Sequence, residues 1–216
     1  MKIVFCLPGR SFSGTFLQCW SQLIGWCLAN GIVVTLQQYY SCNIYYARNM
    51  CLGGNILNGA DQKPYNGQLD YDYMMWIDSD VVFSVEQFVK LLQHQKDITS
   101  GLYLMEDNYQ YATVENWDED FFAKNGYFTF LNRDTIKTKT NLFPVSYTGF
   151  GFMLVKRGIF ESMEYPWFQP EYINIGTAKD FTMEDVSFCR KANRLGHQIL
   201  IDPTIVVGHE KLKILS

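Results

Sequence analysis

No stretch of the sequence reaches about eighteen uninterrupted apolar residues, the length that a membrane-crossing helix needs. The apolar run after Met1-Lys2 covers only Ile3 to Leu7 before Pro8-Gly9 interrupts it, too short for a signal-peptide core. No membrane span is expected, and cytoplasmic placement is the default expectation. Basic residues are not in excess either. Lys and Arg number 18 against 22 Asp and Glu, a net charge of -4, so the chain has no general attraction for phosphate backbones and nucleic acid is not expected as a partner. The cysteines (Cys6, Cys19, Cys27, Cys42, Cys51 and Cys189) include no Cys-x-x-Cys pair. Most lie in apolar runs, where free thiols pack as small hydrophobes, and they read as reduced. Internal repeats, low-complexity tracts and an interdomain linker are also missing.

What is present is a globular composition. The 216 residues are 48% hydrophobic, 16% aromatic and 19% charged, which excludes disorder and collagen-like sequence and suffices for one domain with a sizeable core, taken as residues 1–216. Ile3 to Leu7 reads as a buried strand closed by the turn-rich Pro8 to Gly14. Phe16, Cys19, Trp20, Leu23, Ile24 and Cys27 recur at helical steps, and Asn30-Gly31 supplies a left-handed stop. Ile32 to Leu36 reads as a second buried strand, Asn43 to Leu57 as a second helix, Gly59 to Asp72 as a long loop and Tyr73 to Ile77 as a third strand. Ser84-Val85-Glu86-Gln87 predicts a capping box opening a helix to about Gln93, followed by a strand from Ile98 to Leu104.

Alternating strands and helices with unpatterned apolar strands predict an α/β fold, a mostly parallel Rossmann-like sheet covered on both faces. After about Met105 the segments shorten. Tyr109 to Asn116, Gly126 to Leu131 and Gly149 to Lys156 predict antiparallel strands added to that sheet. Helices are expected near Arg157 to Met163 and Met183 to Leu195, and a last strand over Gln198 to Ile201.

Trp76-Ile77-Asp78-Ser79-Asp80 places two carboxylates at the carboxyl end of a buried strand, where open α/β sheets collect ligands. Such a pair can give one carboxylate to Mg²⁺ or Mn²⁺ and the other to a ligand hydroxyl. Its structural alternative is a polar turn or helix cap, but Ser84 already takes the cap, which leaves both aspartates without a structural task. Thr182-Met183-Glu184-Asp185 is a second acidic pair, equally consistent with a threonine-capped helix start. His209, after the apolar Val206-Val207-Gly208, can ligate a metal as a neutral imidazole or be merely structural. His94 and His197 fall at a helix end and a turn. Gly149-Phe150-Gly151 reads either as a loop in which backbone approaches a ligand or as a strand end.

In this order, the strand-end Asp-x-Asp, the glycine loop, the Glu-Asp helix start and the late histidine resemble the nucleotide-sugar-dependent glycosyltransferases of the GT-A fold, from the first strand to His209. The resemblance implies a three-layer α/β/α sandwich with a nucleotide-binding half over 1–104 and an acceptor half over 105–216. It implies a metal-dependent transferase, a hexosyltransferase by the commonest case, moving a sugar from a nucleoside-diphosphate donor to the hydroxyl of a carbohydrate or other acceptor. Asp80 and His209 then fall on the Mn²⁺ or Mg²⁺ ligands and Asp78 on the ribose or donor contact. Asp185 falls on the general base of inverting members, Glu184 on an acceptor contact, and Gly149 and Gly151 on the loop beside the donor sugar. In a retaining enzyme Asp185 would orient donor or acceptor instead.

Arg10, after the first strand, corresponds to the loop that holds the nucleotide base. Arg48-Asn49 resembles an Ala-Arg-Asn stretch that reaches the nucleotide in some members, although an exposed arginine on a solvated face is the plainer expectation. Trp167 reads as a sugar-stacking platform or as core. The chain is short for the large acceptor subdomain of many members, and lacks the anchor of secretory ones, which fits a soluble microbial or viral enzyme or an excised catalytic domain. Two rivals remain: a non-catalytic nucleotide-sugar or glycan-binding module, and a sugar-phosphate nucleotidyltransferase, whose usual Gly-x-Gly-Thr-Arg opening Leu7-Pro8-Gly9-Arg10 does not match.

Overall fold

The computed structural model describes residues 1–211. Its elements follow in the order β1 (Lys2–Pro8), α1 (Gly14–Ala29), β2 (Val33–Tyr39), α2 (Ile44–Cys51), β3 (Tyr73–Ile77), β4 (Val81–Val82), α3 (Val85–Gln93) and β5 (Ile98–Leu102). Then come β6 (Thr113–Val114), α4 (Glu119–Asn125), α5 (Arg133–Lys137), β7 (Phe143–Val145), β8 (Tyr147–Thr148), β9 (Phe152–Lys156) and α6 (Ile159–Ser162). The last are β10 (Tyr172–Ile175), β11 (Ala178–Phe181), α7 (Glu184–Arg194), β12 (Ile199–Val206) and β13 (Gly208–His209).

The central sheet has the strand order β2-β1-β3-β9-β5-β12-β7. β1 pairs in parallel with β2 and β3, as does β12 with β5, whereas β9 runs antiparallel between β3 and β5 and β7 lies antiparallel on the far edge. Alternation along each strand divides the core in two. Val4, Cys6, Met74, Trp76, Met153 and Val155 join Phe150, Phe160, Phe168 and Phe188 on the face covered by α6 and α7. Ile3, Phe5, Leu7, Met75, Ile77, Phe152 and Leu154 join Phe16, Leu23, Phe88 and Leu91 of α1 and α3 on the other. The expected three-layer, mostly parallel α/β architecture is observed.

Caps form where the chemistry asks for them. The Ser13 hydroxyl accepts from Phe16 N at 3.0 Å, and Ser84 and Gln87 form a reciprocal capping box. Five expectations are corrected. β2 is an edge strand and largely exposed, because only β1 pairs with it and its Val33, Leu36, Gln38 and Tyr39 face water. α2 stops at Cys51, and Gly53 turns the chain at φ +73°. The strand expected over Tyr109 to Asn116 shrinks to Thr113–Val114, paired with β8 outside the main sheet, and Gly126 to Leu131 holds only loop, while the charged, aromatic segment before it forms α4 with an Asp118 cap. Thr182 does not cap α7. Its hydroxyl accepts from Glu171 N at 3.0 Å and Met183 stands at the cap position, following the hairpin β10–β11 that the sequence did not announce.

Candidate active site

β3 delivers Asp78 to the carboxyl end of the sheet, and the turn after it is fixed from both sides. Asp78 N donates to Gly151 O at 3.0 Å, and Glu210 N donates to Asp80 O at 2.7 Å. The short pair β4–β13 sets His209 opposite Val81 and so brings a residue from the chain's far end beside Asp80. His209 Nε2 lies 3.1 Å from Asp80 Oδ2, and Nδ1 donates to the Leu104 carbonyl at 2.7 Å. That second bond fixes the ring and aims Nε2 at the carboxylate. Lys211 Nζ reaches the same Asp80 oxygen at 2.8 Å. Burial acts to raise the Asp80 carboxyl, but the hydrogen bonds from His209 and Lys211 outweigh it and bring it down to about 2. The Asp80 bond in turn raises the His209 imidazole against the opposing effect of burial.

Asp78 faces the other way, into an ion pair. Arg48 of α2 places Nη1 3.0 Å from Asp78 Oδ1 and Nε 3.1 Å from Glu184 Oε1, and it is 3% exposed, so the expectation of a solvated arginine is corrected. Its guanidinium lies 5.1 Å from the Phe150 ring centroid, walled also by Trp76 and Phe168. Burial lowers the Arg48 proton affinity, and the charges of Asp78 and Glu184 more than reverse that, so the side chain stays cationic. The structure thus gives both aspartates ion-pair partners, correcting the view that they lack any structural task.

At the start of α7, Asp185 is partly buried and accepts from Tyr147 Oη at 3.2 Å. Burial and the adjacent Glu184 push its carboxyl up to about 7, well above the usual carboxylate range. The phenol of Tyr103, just past β5, lies near Asp78 and Asp185 and is pushed upward by burial and by both carboxylates. Its ring packs 5.0 Å from His209.

Gly149 and Gly151 make room for that tyrosine. A Cβ on Gly149 would fall 1.8 Å from Tyr103 Oη and one on Gly151 2.7 Å from Cε1, so the missing side chains serve a protein contact at this point. Arg10 is exposed, 5.8 Å from the Tyr40 ring centroid, at a cleft of about 320 Å³ that Gly9, Tyr40, Ser41, Asp78 and Asp80 also line. Trp167 is fully buried core, not a platform.

The structure therefore brings Asp78, Asp80, Arg48, Glu184 and His209 together, with Asp185 beside Glu184, and leaves Arg10 on the cleft's outer wall. Sequence reasoning missed Tyr103, Tyr147 and Lys211. Tyr103 carried a signal, since it follows a parallel strand at its carboxyl end, and Lys211 lies two residues beyond the singled-out histidine; nothing marked Tyr147. Among the described residues no group of three or more His, Cys, Asp or Glu converges as a metal cage. The donor set is one carboxylate and one oriented imidazole, which suits a hard or borderline dication that completes its shell with phosphate oxygens and water.

No family model matches the chain, and no curated protein matches it by sequence. Solved structures do. A197 from STIV is 16% identical with a TM-score of 0.52, over 100% of this chain and 97% of that one. GalNAc-T7 with UDP, GalNAc and Mn²⁺ is 14% identical with a TM-score of 0.55, over 97% of this chain and 44% of its own, so this chain spans less than half of it. A mutant Drosophila β1,4-galactosyltransferase 7 in complex with manganese, UDP-Gal and xylobiose is 12% identical with a TM-score of 0.52, over 98% and 71%. The fold is the GT-A fold of glycosyltransferases. Among the described residues no helix is long and apolar enough to cross a membrane.

Proposed function

We propose that this chain is a metal-dependent glycosyltransferase that moves a sugar from a nucleoside-diphosphate donor to an acceptor hydroxyl. The observation that carries the reading is the pairing of Asp80 with His209 beside a cleft, with the raised carboxyl of Asp185 at the same end of the sheet. The similar structures solved with Mn²⁺ and UDP or UDP-Gal agree with it. Asp80 Oδ2 and His209 Nε2 would hold Mn²⁺ or Mg²⁺, which when bound supplies Lewis-acid stabilisation of the departing diphosphate. Asp78 borders the cleft as the donor contact, and Arg10 with Tyr40 borders it where a nucleotide base would stack.

In an inverting reaction the acceptor oxygen bonds to the anomeric carbon as the bond from that carbon to the diphosphate oxygen breaks, and the hydroxyl proton passes to Asp185. A carboxylate held near 7 is a stronger base than one near its reference value of about 4, and at neutral pH an appreciable fraction is ionised. Tyr147 orients Asp185 through its hydroxyl, and Glu184, held by Arg48, borders the acceptor side. Calorimetric titration of UDP, GDP and CMP, each with Mn²⁺ and with chelator, tests the reading on wild type and Asp80→Ala. Binding of one nucleotide that needs metal and is lost in the variant supports it. No binding, or binding indifferent to metal and to Asp80, overturns it, and pyrophosphate release from a nucleoside triphosphate and a sugar phosphate would replace it with nucleotidyl transfer.

A further inference from the structure

Among the described residues, Arg48 alone bridges the strand-end carboxylate Asp78 and the helix-start carboxylate Glu184, residues far apart in sequence and carried by different elements. Each contact uses different atoms of one planar fork. Nη1 and Nη2 meet both Asp78 oxygens at 3.0 and 3.1 Å, and Nε meets Glu184 at 3.1 Å. The fork cannot drift, because Phe150, Trp76 and Phe168 wall it and the next residue, Asn49, is pinned by bonds to Tyr45 O at 2.7 Å and Phe168 O at 2.6 Å. A lone buried guanidinium would be costly, and so would either carboxylate without it.

Resting on the glycosyltransferase reading above, we propose that Arg48 is a positioning residue that locks the donor-side and acceptor-side carboxylates into one rigid unit and leaves Asp185 as the only carboxylate of the cluster free to exchange a proton. Glu184 and Asp185 are neighbours at the start of α7, yet their surroundings differ. Glu184 is 5% exposed and paired to the guanidinium, while Asp185 is only partly buried and, among the described residues, has the Tyr147 hydroxyl and the Val186 amide as its hydrogen-bond partners. The groups that face Asp185 are Glu184 and Cys189 on its own helix, Arg48 from α2, Tyr147 from β8 and Tyr103 beyond β5. Arg48 is the only cation among them. Two carboxylates side by side cannot both ionise freely, and a fixed cation on one directs the proton to the other. Because the same cation binds Asp78, a change at the donor-side carboxylate reaches Asp185 through it.

The test is a carboxyl-carbon NMR titration of the free protein, with Asp185 assigned by Asp185→Asn, in wild type, Arg48→Met, Arg48→Lys and Asp78→Asn. It needs no substrate, so its failure is distinguishable from failure of nucleotide binding. Arg48→Met should raise the Asp185 midpoint by about one pH unit or more, a tenfold change in the acid equilibrium. Arg48→Lys keeps the charge without the fork and should fall between wild type and Arg48→Met. Asp78→Asn keeps Arg48, frees its charge for the acceptor side and should lower the midpoint; it also serves if Arg48→Met does not fold. An unchanged Asp185 midpoint in a folded Arg48→Met or in Asp78→Asn would overturn the proposal, as would an Arg48→Lys protein identical to wild type, which would reduce Arg48 to a bare charge.

Discussion

Gly149→Ala adds one methyl group where the site has no space for it. The new carbon would lie 1.8 Å from Tyr103 Oη and 2.8 Å from Cζ, far inside van der Waals contact, and Gly151 packs the same ring from beside it. The backbone of Gly149 is not in the left-handed region, so alanine carries no conformational penalty there and the cost is steric. Overpacking of this kind costs about 1–3 kcal/mol, and a contact this short with a ring held on several sides belongs at the upper end, about 2–3 kcal/mol. For a chain of this size that is roughly a 5–10 °C fall in the thermal midpoint, read by circular dichroism or scanning calorimetry. Tyr103→Phe deletes the hydroxyl that makes the closest contact but leaves the ring. Combined with Gly149→Ala it should recover about half of the loss, a positive coupling in a double-mutant cycle. A Gly149→Ala protein that melts within about 1 °C of wild type would refute the reasoning. So would a Tyr103→Phe change that relieves none of the loss, since the glycine would then be accommodating something other than this tyrosine.

Asp80→Ala and His209→Ala should each weaken metal-dependent nucleotide binding by roughly tenfold or more in calorimetry, and chelator should abolish it in wild type. Asp185 holds its proton more tightly in the folded chain, at about 7 against about 3.9 unfolded, so the stability it contributes is fully present below about 4 and is lost as pH rises through about 7. Asp185→Asn should therefore raise the melting temperature relative to wild type at pH 8 more than at pH 4, and donor turnover by wild type should climb on an acid limb near 7 that the variant lacks. Asp202 has the opposite sign. Burial acts to raise its carboxyl, but bonds from Thr204 and His94 hold it below the usual range, so its contribution is present above about 4 and fades as pH falls further. Asp202→Ala should cost about 1–3 kcal/mol at neutral pH in chemical denaturation and progressively less under acid.

The parallel half of the fold was legible because its strands are short apolar runs bounded by clear punctuation: Tyr73 to Ile77 matches β3, and the Ser84 box opens α3 as read. Legibility fell where burial depends on neighbours far along the chain. Nothing within Ile32 to Leu36 says that β2 is an edge, and nothing within Tyr109 to Leu131 says that its apolar residues pack on loops and a short helix. The acidic residues of the site were legible by type, since strand-end and helix-start carboxylates stand out against apolar flanks. Their electrostatics were not. Arg48 looked exposed because arginine usually is, and only the convergence of Asp78, Glu184 and three aromatic rings makes its burial tolerable. The departure of Asp185 from its reference value has the same origin, in burial and in a neighbouring charge whose partner lies 136 residues away in sequence.

The direction of β9 explains why such distant residues meet. A parallel sheet gathers the carboxyl ends of its strands on one edge, which brings Arg10 after β1, Asp78 and Asp80 after β3, Tyr103 after β5 and His209 after β12 to a common rim. An inserted antiparallel strand has its beginning, not its end, on that rim. β9 lies between β3 and β5 with Phe152 opposite Ile77, so the Gly149–Gly151 loop must enter the rim between Asp78 and Tyr103, and Asp78 N bonds Gly151 O there. The glycines then follow from crowding, because an extra loop and a tyrosine share the space between two adjacent strand ends. Reversing that one strand is what brings the Gly149–Gly151 loop into a site that the parallel strands began.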